Sequence, residues 1–221
     1  MNKFRSIYSR FFTVSRVEAK KFILIFYVVG TTGMLIPFTA SLFKMLTPLA
    51  LLVNFVVLTA FHQGKGNAKS LAVFITIFLL GYGIEVLGVQ THKIFGVYYY
   101  GEALGIKLFD TPLIIGLNWL FLCYVSNAVF EKVSIPNFLK VLFASGLMLI
   151  YDFVLEPLAP KLGMWYWDNN AIPLQNYLAW FIIAVFFNAL IKVFKISTTN
   201  PLAMLIFATQ FVFFLILSLV L

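Results

Sequence analysis

Long apolar runs separated by short basic connections set the pattern of this chain. The runs fall near residues 22–43, 46–61, 70–90, 112–130, 138–157, 174–194 and 200–221. An α-helix needs about 20 apolar residues to cross a hydrocarbon layer roughly 30 Å thick. All the runs meet that length to within a few residues except the second, which is short. The expected fold is therefore all-α: a polytopic membrane bundle of about seven transmembrane helices. No internal repeat, low-complexity tract or long linker divides it, so residues 1–221 are expected to form one transmembrane domain.

Charge adds an orientation. Lys and Arg at positions 3, 5, 10, 16, 20, 21, 65, 69, 132, 140, 192 and 195 fall on one side of the expected membrane, against Lys44, Lys93, Lys107 and Lys161 on the other. Basic connections stay in the cytoplasm, which places the N-terminus there and, with an odd number of spans, the C-terminus outside. Residues 1–21 are basic and partly apolar and predict an interfacial stretch before an uncleaved first span. The composition agrees, with 62% hydrophobic and 11% charged residues. The net charge of +8 sits in connections beside anionic headgroups, so nucleic acid is excluded as a partner.

The acids depart from this pattern. Glu85 closes the run FITIFLLGYGIEVLGV, and Asp152 and Glu156 close LFASGLMLIYDFVLEPL. An ionisable group at membrane depth costs several kcal/mol, so it faces a protein interior or a water-filled cavity and marks a working site. Asp152 and Glu156, four residues apart, share one helix face. Two like charges that close repel, so in a dry site the pair is expected to keep a proton and can act as a general acid. The alternative is structural: pairing with Lys161, or accepting from backbone or Trp N–H groups where Pro157 ends the helix. Glu85 stands between Gly83 and Gly88, which would let a neighbouring helix come close.

The two longest connections, about 91–111 and 158–173, lie on the same side as these acids. They and the flanking spans supply Phe95, Tyr98, Tyr99, Tyr100, Trp119, Trp165, Trp167, Tyr177 and Trp180. Aromatic belts at the interface would produce many of these. Concentrated beside acids, they could also stabilise a cation and line a channel for a long apolar ligand. Asn118 and Asn176 add neutral hydrogen-bonding groups. His92 could carry protons near Glu85, but His62 lies on the opposite side, so a histidine-rich di-iron site is excluded. Cys123 stands alone, and no phosphate-binding loop, nucleophile elbow or dinucleotide fingerprint is present. No metal, flavin or nucleotide cofactor is expected.

IEVLGVQTHKIFGVYYYGEALGIKLFDTPLIIGLNW at 84–119 and YDFVLEPLAPKLGMWYWDNNAIPLQNYLAW at 151–180 carry, in order, E-x-x-G, F-G-x-Y-x-Y, N-W, D-x-x-x-E-P, W-x-W and P-x-x-N-Y-x-x-W. In these the chain resembles the CruF-type carotenoid hydratases, membrane enzymes of carotenoid biosynthesis. The resemblance implies cofactor-independent addition of water to the terminal C1,C2 double bond of an acyclic (ψ) carotenoid end, as in lycopene or a γ-carotene-like substrate. It also implies a bacterial cytoplasmic (inner) membrane location and association with other carotenoid-biosynthesis enzymes. Under it, Asp152 or Glu85 gives the proton and Glu156 and Asn176 orient water. Phe95, Tyr98, Tyr100, Trp119, Trp165, Trp167 and Trp180 would bind the substrate, with Tyr98, Trp165 and Trp167 shaping the end-group pocket. A carotenoid end-group cyclase begins with the same protonation and stays open as an alternative. So does a small proton-coupled transporter, although acids gathered toward one face fit it less well.

Overall fold

The computed structural model describes residues 14–221. The expected interfacial stretch over 1–21 lies outside the described residues as far as 13. Eight α-helices follow in chain order: α1 (Arg16–Leu35), α2 (Pro37–Met45), α3 (Thr47–Ala60), α4 (Ala68–Thr91), α5 (Ile114–Phe130), α6 (Asn137–Leu155), α7 (Leu174–Val193) and α8 (Ala203–Val220). The chain is not purely helical. The two long connections carry short strands β1 (Tyr98–Tyr100), β2 (Lys107–Leu108), β3 (Thr111–Pro112) and β4 (Trp165–Trp167).

Local chemistry explains the helix ends. Ser15 and Glu18 form a reciprocal cap, Glu18 N–H donating to Ser15 Oγ at 3.2 Å and Ser15 N–H to Glu18 Oε2 at 2.7 Å. This starts α1 at Arg16, inside the stretch expected to lie at the interface. The run 22–43 is not one helix: Pro37 has no N–H to continue the ladder, Ile36 turns extended, and α1 stops at Leu35. The next two helices, α2 and α3, meet at a 60° bend. At the far end of α4, His92 adopts the left-handed conformation with φ 58° and closes the helix as its C-cap.

Helices α4, α6, α7 and α8 are long and apolar enough to cross a membrane, and the bent pair α2–α3 makes a fifth if it is one span. Large apolar side chains such as Leu79, Phe153, Ile182 and Leu219 are exposed on these helices. Such surfaces suit lipid rather than water, so the chain is a membrane protein. Helix α5 has only 17 residues and is surrounded: α3, α4, α6, α7 and α8 all pack on it. It forms the centre of the bundle, with Trp119, Leu122, Cys123 and Val125 fully buried.

Across the top of this bundle the two long connections join. Strand β1 pairs antiparallel with β4 in the register Tyr98↔Trp167, Tyr99↔Tyr166 and Tyr100↔Trp165. Beyond the strands the pairing continues, Gly101 N–H donating to Met164 C=O at 2.8 Å and Ala103 N–H to Gly163 C=O at 3.2 Å. Strands β2 and β3 form a tight hairpin whose two turn residues, Phe109 and Asp110, both have positive φ. The Tyr82 hydroxyl ties that hairpin to α4 by donating to Leu108 C=O at 2.6 Å.

The junction leaves no room at Gly101, where a Cβ would stand 2.2 Å from the Gly163 carbonyl oxygen. Gly101→Ala is therefore expected to destabilise the fold by about 2 kcal/mol or more by parting the two connections. Gly83 faces open space within α4, so Gly83→Ala should leave stability unchanged or raise it by up to about 1 kcal/mol. Thermal unfolding of both variants in the same detergent checks the pair. Equal effects would contradict the assigned packing.

Candidate active site

Small residues on α4 make room for the first acid. Gly81, Glu85 and Gly88 are spaced by four and three residues, so they line one helix face. A Cβ at Gly81 would lie 2.7 Å from the Trp119 Cβ, and one at Gly88 would lie 2.6 Å from the Phe95 ring and 3.1 Å from the Tyr98 hydroxyl. The two glycines thus admit Trp119 and Phe95 on either side of Glu85. Gly83, expected to be one of the flanking pair, is two residues from Glu85 and falls on another side of the helix.

Glu85 is 4% exposed and its two carboxyl oxygens accept three neutral donors. The hydroxyls of Tyr98 and Tyr100 each donate to Oε2 at 2.8 Å, and the Trp119 indole N–H donates to Oε1 at 2.9 Å. The second acid is served in the same way. Glu156, 2% exposed at the C-cap of α6, accepts at Oε2 from the indoles of Trp165 at 3.0 Å and Trp167 at 2.6 Å, and at Oε1 from the Asn176 amide at 2.9 Å.

The β1–β4 ribbon produces this symmetry. Side chains alternate across a strand, so Tyr98 and Tyr100 on β1 and Trp165 and Trp167 on β4 share the inner face. One strand serves Glu85 and the other Glu156. Tyr99 and Tyr166 point the other way and stack with ring centres 5.3 Å apart. Inner rings pack across the register, Tyr98 on Trp167 at 5.1 Å and Tyr100 on Trp165 at 6.2 Å.

Asp152 differs from its neighbours. It is 1% exposed and accepts one bond, from the Asn176 amide to Oδ2 at 3.2 Å, while Oδ1 meets no donor among the described residues. The single NH₂ group of Asn176 therefore bridges the two carboxyls that helical spacing brings together on α6. No cation shares this network: the ion pairs among the described residues are Lys107–Glu102 and Lys192–Glu131, both elsewhere. Nor do three His, Cys, Asp or Glu side chains converge as a metal-ligating group among them.

Glu85, Glu156 and Asn176 enclose a cavity of about 30 Å³ with Phe95, Tyr98, Tyr100, Trp119, Trp165, Trp167 and Trp180. That is room for about one or two waters. Trp180 stacks on Trp119 at 4.1 Å and completes an aromatic wall. Of the residues singled out in the sequence, Asp152 stands behind the wall through Asn176, and His92 stands apart, exposed on its helix cap. Asn118 lines the cavity, as do Ile115 and Leu155, which carried no signal because apolar lining and apolar core look alike in a sequence. The strand pairing was also missed. Its trace is the alternation of buried aromatics in Y-Y-Y and W-Y-W, a period of two rather than 3.6.

Such a site can present a proton, hold water in a small pocket, and surround a developing cation with aromatic faces and buried carboxyls.

Known proteins bear on this geometry. The family model of carotenoid biosynthesis proteins matches residues 45–221. A bisanhydrobacterioruberin hydratase of Haloarcula japonica is 26% identical over 121 residues, covering 49% of this chain and 40% of the relative. The chain thus matches less than half the length of that relative. No solved structure matches the chain.

Burial, reinforced by the Glu85 carboxyl, holds the Tyr98 and Tyr100 phenols well above the ordinary value of 10.0. The sign follows: above pH 10 the unfolded chain releases phenol protons that the folded chain retains, so stability falls as pH rises. Unfolding followed by near-ultraviolet circular dichroism between pH 8 and 11 should show that decline, and Tyr98→Phe/Tyr100→Phe should flatten it. An unchanged slope in the double variant would contradict neutral, donating phenols at Glu85.

Proposed function

The chain belongs to the carotenoid biosynthesis protein family, and from that premise we propose that it is a carotenoid hydratase adding water across the terminal C1,C2 double bond of a ψ end group. The observation that carries the reading is the water-sized cavity bounded by buried carboxyls and aromatic faces, with no cation beside it among the described residues. The hydratase relative points the same way.

Hydration of a trisubstituted alkene needs three things in sequence. An acid protonates C2 and breaks the π bond, leaving a tertiary cation at C1. Aromatic rings and a counter-charge hold that cation. Water then attacks C1, and its extra proton returns to a carboxylate, so the acid is regenerated and only water is consumed.

The hydrogen bonds favour a division of labour. Glu85 and Glu156 each accept three neutral donors, which suits an anion. Asp152 accepts one, which suits a protonated acid, and Asn176 couples it to Glu156 on the cavity wall. In this reading Asp152 and Glu156 share one proton, Glu156 delivers it from the cavity wall, and Glu85 is the counter-charge. Asn176 and Glu156 orient the water, and Tyr98, Trp165 and Trp167 shape the end-group pocket. No metal, redox group or nucleotide enters the balance.

The wider setting belongs to the same proposal. The basic connections support seven crossings with a cytoplasmic N-terminus, α2–α3 being a short bent span and α5 an enclosed one. The site would then lie toward the opposite face, in a bacterial inner membrane, accepting lycopene or a γ-carotene-like substrate from the bilayer, beside other enzymes of the pathway.

Expression in a host that accumulates lycopene is expected to yield pigments heavier by one or two waters, with the visible chromophore unchanged. An unchanged mass with altered retention and spectrum would replace hydration by cyclisation. Asp152→Asn and Glu156→Gln should each lower product formation by about 10²-fold or more with the protein still folded in the membrane. Full activity in either variant would remove the pair as proton source.

A further inference from the structure

Every residue lining the active-site cavity is buried except Asn118, which is partly exposed. Asn118 is thus the point of the wall nearest the molecular surface. Its neighbours on α5 fix its place. Trp119, the next residue, is fully buried, stacks on Trp180 at 4.1 Å and donates to Glu85 at 2.9 Å. Ile115, three residues back on the same helix face, is buried in the same wall.

Most polar groups on this wall are already engaged. The two phenols, the three indoles of Trp119, Trp165 and Trp167, and the Asn176 amide all donate to Glu85, Asp152 or Glu156. Two lining side chains have no hydrogen-bond partner among the described residues, the Asn118 amide and the Trp180 indole. An indole can only donate, whereas an amide also offers a carbonyl oxygen that accepts. Acceptors are what an attacking water needs. With its hydrogens held, its lone pair is free to meet carbon; a donor would compete for that lone pair. In a cavity of about 30 Å³, room for about one or two waters, the Asn118 carbonyl and the Glu156 carboxylate address the same molecule.

We infer that Asn118 is the water-positioning residue of this site: its carbonyl oxygen accepts one hydrogen of the attacking water while the Glu156 carboxylate accepts the other. The inference rests on the proposed hydration. Once Glu156 has given its proton to C2, the π bond is broken and C1 is a tertiary cation. Asn176, bound to Glu156 Oε1 at 2.9 Å, holds the carboxylate in place. Water held between Asn118 and Glu156 forms the C1–O bond, and the proton it loses goes to Glu156. Without the Asn118 oxygen the cation has another exit. It sheds a proton from C2 or from a methyl group on C1 and becomes an alkene again. Asn118 therefore governs capture of the cation, not its formation.

The test follows lycopene in deuterated water with the full chain in phosphatidylcholine nanodiscs. One extract gives two readings, the alcohol formed and the carbon-bound deuterium in unhydrated carotenoid. Asn118→Leu, which keeps the size and removes the oxygen, is expected to form alcohol about tenfold more slowly while deuterium in the unhydrated carotenoid rises above the wild-type level. Asn118→Asp, which keeps an oxygen in the same place, should restore the wild-type ratio of alcohol to deuterated alkene. Wild-type alcohol formation in Asn118→Leu, or loss of alcohol and deuterium uptake together, would overturn the inference; the second result is what a merely structural role produces. An Asp variant that behaves as the Leu variant would overturn it as well. A wild-type chain that forms no alcohol would overturn the proposed function and this inference with it, whereas a wild-type chain that hydrates lycopene beside an Asn118→Leu variant of unchanged ratio would overturn this inference alone.

Discussion

Three buried carboxyl groups with no cation beside them among the described residues are the constraint around which this fold is organised. Every such group needs donors, and bulk water is not there to provide them. The chain meets the need with phenols, indoles and one amide, none of which carries charge. A Lys or Arg in the same place would tie up the carboxyls as ion pairs and repel any cationic centre formed among them. Neutral donors hold the acids in position and leave their negative potential available.

Meeting that constraint dictates structure well away from the acids. Four of the seven donating contacts come from a two-stranded ribbon, so two connections more than 60 residues apart in sequence must pair in one register. A slip of either strand by one residue would turn its middle residue, Tyr99 or Tyr166, inward and leave Glu85 or Glu156 without its ribbon donors. Gly101 fixes the join, and Gly81 and Gly88 admit the rings that flank Glu85. The central helix α5 contributes Trp119 to the same carboxyl and meets almost every other helix. Site and bundle core are one packing arrangement.

Much of this was legible in the sequence, and the reason is energetic. Acids in apolar runs are rare because they are costly, so Glu85, Asp152 and Glu156 were conspicuous, and their i, i+4 spacing placed two of them on one face. The long aromatic connections were also readable. Helix continuity was not: hydropathy is blind to the break that Pro37 makes after Leu35, and it runs α1 and α2 together. Short strands were hidden because three residues of alternation hardly rise above background. The division between Glu85 and Glu156, with three donors each, and Asp152, with one, depends on which donors the fold brings near, information that no local pattern holds.

The central claim is that a proton from a buried carboxyl adds to carbon and water then captures the cation. Turnover in deuterated water tests it most directly. The account predicts one deuterium, stable to back-exchange, on the carbon adjacent to each new tertiary alcohol, seen by mass spectrometry and proton nuclear magnetic resonance of the purified pigment. A hydrated product with no carbon-bound deuterium would contradict it, because the added hydrogen would then have come from somewhere other than an acid in exchange with water.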